Sequence, residues 1–188
     1  MPNGLLDERR NALEESFFAK ENERLRARIQ ADREREEARK ALTGEAGIRD
    51  AALLDRLVDL GIRVDTVEAL VLVPLVLVAW ADGKMDPAER DAVLHAAEAT
   101  GIPREGPGYA LLQAWTKQRP PAELATSWRS YIAALTKELS ADQRWALEER
   151  IVERARAVAR ASGGFLGLSK ISREEEAVIA ELEKAFAG

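Results

Sequence analysis

The chain contains no cysteine and a single histidine, His95. Without thiols there is no disulfide framework, no thiolate zinc site and no iron–sulfur cluster. One imidazole, set between Leu94 and Ala96 with no cysteine nucleophile and no serine elbow around it, leaves no catalytic triad to assemble. A basic excess is also missing. Lys and Arg number 28 against 33 Asp and Glu, a formal net charge of −5 over 188 residues, which gives no general attraction to phosphate backbones; nucleic acid is not an expected partner. Long apolar runs are short of what a bilayer needs. The longest, Ala69 to Ala81, has thirteen residues with Pro74 inside it, against the roughly 20 that span hydrocarbon. It reads as a buried core helix kinked at Pro74, whose ring crowds the carbonyl of Leu70. No transmembrane segment is expected, and peripheral membrane association stays open. Met1 to Arg10 lacks the apolar stretch of a secretory signal, so the expected location is cytoplasmic.

Charged residues make up 32% of the chain, above the usual quarter, so something besides a compact domain carries charge. That something is the N-terminal segment. Residues 5–42 contain neither glycine nor proline and are dominated by strong helix formers, which predicts one long helix over about 1–42. Leu6, Leu13 and Phe17, then Phe18, Leu25 and Ile29, form two short heptad-like stripes suited to a partner or a second copy of the chain. Beyond Ile29 the segment is polar nearly all round, with helix-spaced pairs such as Asp32 with Arg35, and Glu36 and Glu37 with Lys40.

Residues 43–64 read as a linker and a short amphipathic helix from about Asp50 to Leu60, with Ala51, Leu54, Leu57 and Val58 on its apolar face. Gly61 and Ile62 close it with a left-handed cap and an apolar contact, a device repeated at Gly101 and Ile102. Residues 65–188 then read as an all-helical domain. Asp65 and Glu68 predict a capping-box start for the core helix, Pro87 to Thr100 a second helix with Val93, Leu94 and Ala97 inward, and Tyr109 to Gln118 a third. Leu124, Trp128, Ile132 and Leu135 mark a fourth, Ser140 with Gln143 caps a fifth, and Arg173 to Ala187 forms the last, with Ala177, Val178, Ile179, Leu182 and Phe186 toward the core. Nothing alternates with a period of two, so strands are not expected. Trp80, Trp115, Trp128 and Trp145 are expected to anchor helix packing. The fold class is therefore all-α: a compact helical bundle preceded by a long charged helix.

Two stretches share one design. Val78-Ala79-Trp80-Ala81-Asp82-Gly83-Lys84-Met85-Asp86-Pro87-Ala88-Glu89 ends a helix at glycine, docks an apolar residue in the loop and opens a helix on Asp86 with Glu89 three positions later. Val158 to Ala161 followed by Ser162-Gly163, an insertion through Ser169, and Lys170-Ile171-Ser172-Arg173-Glu174-Glu175 does the same with serines. The pair predicts an internal pseudo-duplication. The first of these corners, AWADGKMDPAERDAVL, resembles the signature of the TerB-like family of tellurite-resistance proteins, and ASGGFLGLSKISREEEAVI resembles its C-terminal counterpart. The resemblance covers roughly 65–188. It implies a compact all-α domain with pseudo-two-fold character, an association with tellurite resistance and other stress responses, metal sensing at the inner membrane face, and no direct enzymatic activity.

Two kinds of site follow as expectations. Asp82, Asp86 and Glu89 place three carboxylates around one turn, the oxygen donors that Ca²⁺ or Mg²⁺ takes. The same residues are also a complete set of helix caps, and their spacing is not that of an EF-hand. Partner-binding residues are expected at Phe17, Phe18, Leu25 and Ile29, and at Phe165 and Leu166 of the glycine-rich insertion. Paired glutamates such as Glu148–Glu149 are helix neighbours that point apart, which argues against an acid–base dyad. The function these features suggest is that of a non-enzymatic accessory or scaffold protein, with a divalent-cation sensor as the alternative.

Overall fold

A computed structural model describes the backbone of residues 4–161 and 171–186 and the side chains of residues 15–161 and 171–186. All regular structure among the described residues is helical, with no strand. They divide into two compact units, residues 1–40 and 41–188.

The described residues of the first unit lie in α1, Gly4–Gly44, a continuous helix of 41 residues and therefore about 60 Å long at 1.5 Å per residue. Every side chain in 15–34 is exposed. Burial does not hold this stretch; helix propensity and local pairs do, among them Glu21–Arg24 at 3.8 Å and Gln30–Glu34 at 2.7 Å.

The second unit is built around α3, Val73–Ala79, whose Leu75, Val76, Val78 and Ala79 are all buried. A helix apolar on every side must be wrapped by others. Those wrapping it are α4 (Pro87–Ala99), α5 (Pro107–Lys117), α6 (Glu123–Thr136), α7 (Ala141–Ala161) and α8 (Arg173–Lys184). The pairs α3/α4 and α7/α8 pack on each other through α3–α7, α4–α7 and α3–α8, the arrangement that an internal duplication calls for. The short helix assigned from sequence to the 43–64 segment, α2 (Ala51–Asp59), packs on α6 and lies in this same unit.

Most helix ends follow their local chemistry. Asp50 caps α2 by accepting from the Leu53 N–H at 2.7 Å. Gly101 sits at φ 93°, which lets the Ile102 N–H reach the Ala97 carbonyl at 3.1 Å while the Ile102 side chain buries. Ser140 and Gln143 exchange the two bonds of a capping box at 2.9 and 3.3 Å.

Five expectations are corrected. The core segment is not one kinked helix: residues Val67–Leu72 form a 3₁₀ helix, and α3 begins afresh at Val73 with Pro74 in its first turn, where a missing N–H costs nothing. Asp65 and Glu68 form no capping box there. Instead the Thr66 hydroxyl accepts from the Arg63 N–H at 2.8 Å, and the Glu68 carboxylate lies against Gly108 in the first turn of α5, where the helix dipole favours negative charge. On α2 the buried face holds Leu53, Leu54, Leu57 and Val58, with Ala51 exposed. On α8, Ile179, Leu182 and the following Phe186 are buried, but Ala177 is exposed and Val178 half-buried, because among the described residues no helix covers that edge. Trp115 and Trp128 are core residues, whereas Trp145 is 63% exposed on the first turns of α7 and anchors nothing.

Candidate functional site

The first corner is held by backbone hydrogen bonds at each step. The Gly83 N–H returns to the Trp80 carbonyl at 3.0 Å with Gly83 at φ 87°, a conformation that suits glycine. Asp82 accepts from the Lys84 N–H at 2.9 Å and Asp86 from the Ala88 N–H at 2.7 Å, while the Asp86 N–H donates to Glu89 Oε2 at 3.0 Å. Glu89 is only 5% exposed. The corner is fastened to α5 by Trp80, whose indole N–H donates to the Trp115 carbonyl at 2.8 Å.

At the second corner, Ser162 to Lys170 lie outside the described residues, and with them Phe165 and Leu166. The entry to α8 repeats the first corner's chemistry. The Ser172 N–H donates to Glu175 Oε2 at 2.6 Å, the Glu175 N–H to Ser172 Oγ at 3.2 Å, and Glu175 is 6% exposed. Arg156 of α7 steadies α8 through Glu183 at 3.2 Å and Glu176 at 3.6 Å.

This geometry bears on what the acidic corner can do. Asp82, Asp86 and Glu89 each spend an oxygen on a backbone N–H next to them, whereas a hard cation needs several carboxylate and carbonyl oxygens converging on one point. Among the described residues no group of three or more His, Asp or Glu is gathered so as to hold a metal ion.

The N-terminal residues are placed differently. Phe17, Phe18, Leu25 and Ile29 are 63, 61, 55 and 44% exposed, and the two phenyl rings meet edge to face at 5.9 Å. At 3.6 residues per turn, Phe18, Leu25 and Ile29 fall within about 40° of one another on the helix surface, with Phe17 on the flank. Asp32 and Glu36 continue the line and end its apolar character.

His95 is exposed on α4, beside a surface network in which Arg104 Nε donates to Glu98 Oε1 at 2.7 Å. The Arg104 hydrogen bond and charge hold the Glu98 carboxyl below its ordinary range, helped by His95 and by a hydrogen bond from Tyr109. Among the described residues no helix is long and apolar enough to cross a membrane. No protein-family model, characterised protein or solved structure matches the chain.

Proposed function

We propose that the chain is a non-enzymatic accessory or scaffold protein of the TerB-like stress-response class, working in the cytoplasm and associating through its N-terminal helix with a second copy of itself or another protein. The observation that carries this reading is the row of large apolar side chains on α1, left 44–63% exposed on a helix that nothing else in its unit covers. Isolated surface leucines are ordinary, but two phenylalanines, a leucine and an isoleucine within thirteen residues make a seam. Support for the class comes from the AWADGKMDPAER corner and from the matched capping boxes at Asp86/Glu89 and Ser172/Glu175.

Light scattering on the full-length protein across a concentration series tests the seam, alongside a variant with Phe17, Phe18, Leu25 and Ile29 changed to Ser, Ser, Gln and Gln. The expected result is a concentration-dependent dimer or larger assembly for the parent and a monomer with unchanged helicity for the variant. A parent that stays monomeric at every concentration, and that captures the same proteins as the variant, overturns the proposal.

A further inference from the structure

The uncovered edge of α8 faces a cleft. Ala177 and Val178, which a fully wrapped helix would bury, form its wall together with residues of α3 and α6 and the chain leading into α6. The cleft holds about 320 Å³, at the lower end of the roughly 300–1,000 Å³ typical of ligand pockets. Its accessible apolar surface comes from Leu77, Ala81, Ala125, Ala177 and Val178, with Trp128 and Leu182 buried beside them, and its charged residues are Arg119, Arg129 and Glu181.

The charges do not cancel. Glu181 is already paired with Lys184 at 2.7 Å. Arg129 makes one long hydrogen bond, to Thr126 Oγ1 at 3.4 Å. Arg119 forms no hydrogen bond or ion pair among the described residues; its guanidinium ends near Gly83 of the first corner. Arg129 also lies within electrostatic reach of Glu181, so of the two guanidinium groups that border the cleft it is Arg119 that has no counter-charge among the described residues. Trp128, which borders the cleft, is fully buried, and its indole N–H has no acceptor among the described residues, a rare condition for a buried polar group.

An apolar cleft bordered by unspent donors, two of them cationic, has the chemistry of a site for a small amphipathic anion. We propose that it binds a single-chain monocarboxylate, with the hydrocarbon body against Leu77, Ala125 and Val178 and the carboxylate held by Arg119 and Arg129. The guanidinium fork matches the two oxygens of a carboxylate. The small volume selects one short chain over a two-chain lipid. This inference is independent of the association proposed for α1, since it uses no residue of that helix.

Octanoate is the probe, titrated into the full-length protein by calorimetry and followed by the indole N–H resonances in ¹H–¹⁵N spectra. Saturable one-site binding is expected, with the Trp128 signal moving most. Octanol, which keeps the chain and removes the charge, should bind at least about tenfold more weakly, as should octanoate to the Arg119→Ala/Arg129→Ala variant. Both arginines are exposed, so that variant keeps its fold, which circular dichroism verifies. Ala177→Trp, placed on the open edge of α8, should block the cleft and abolish binding. Absence of saturable binding at millimolar octanoate overturns the proposal, as does equal affinity for octanol or indifference to both variants. Tighter binding of octyl phosphate than of octanoate overturns the assignment to a carboxylate.

Discussion

The indole N–H of Trp80 donates to the carbonyl oxygen of Trp115 across 2.8 Å, so the residue that ends α3 also caps the C-terminal turn of α5. The last four carbonyls of a helix have no partner within it, and this bond satisfies one of them. Trp80→Phe keeps the ring and deletes the donor. It should cost about 0.5–1.5 kcal/mol, read as a lower urea midpoint with an unchanged m value. A midpoint equal to the parent's would mean that water serves the carbonyl equally well.

Glu89 and Glu175 hold matched positions, each buried and each accepting the N–H of the residue that caps its helix. A glutamine can make the same bond and an alanine cannot. Glu89→Gln and Glu175→Gln should therefore change stability little, while Glu89→Ala and Glu175→Ala should each cost about 1 kcal/mol or more. Denaturant unfolding of the four variants checks this. Comparable losses at the two alanine sites are expected if the corners are equivalent parts of a duplicated frame.

How far the fold could be read from the chain depends on whether a signal was local. The caps at Asp86/Glu89, Ser140/Gln143, Ser172/Glu175 and Gly101/Ile102 lie within a few residues of the bonds they make, and each forms as its neighbours dictate. Which face a helix buries is a tertiary matter. Trp145 has the composition of an anchor and stands exposed, and Ala177 sits at core spacing on an edge that no described helix covers. The break between the 3₁₀ segment and α3 was hidden because Pro74 fits a kink and a first turn equally well. The row on α1 was legible from spacing alone. The cleft was not, since Leu77, Arg119, Trp128 and Val178 come together only through the packing of distant segments.

The acidic corner makes a prediction against its own appearance. Because Asp82, Asp86 and Glu89 are each oriented by a neighbouring N–H and are not gathered on one point, a cation would have to pull them from their caps to bring their free oxygens together. Calorimetry with Ca²⁺ and Mg²⁺ should show no saturable heat, and Asp82→Ala should leave the trace unchanged. Saturable heat that disappears in Asp82→Ala would restore the corner as a cation site and would require it to rearrange on binding.

Glu98 and Arg104 give the pH dependence. Their 2.7 Å hydrogen bond is the main reason that the Glu98 carboxyl ionises below its ordinary value of 4.5. A folded-state pKa lower than the unfolded one means that the ionised form favours folding. The contribution is complete above the unfolded value and is lost as pH falls through the folded one. Arg104→Ala should accordingly raise the Glu98 pKa, seen by NMR titration of its side-chain carboxyl carbon. It should be less stable than the parent at neutral pH, with the difference closing in acid. Both groups are exposed, so added salt should narrow the neutral-pH gap as well. A gap that persists unchanged below the folded-state pKa would show that Arg104 acts through the packing of its stem over α4 and not through its charge.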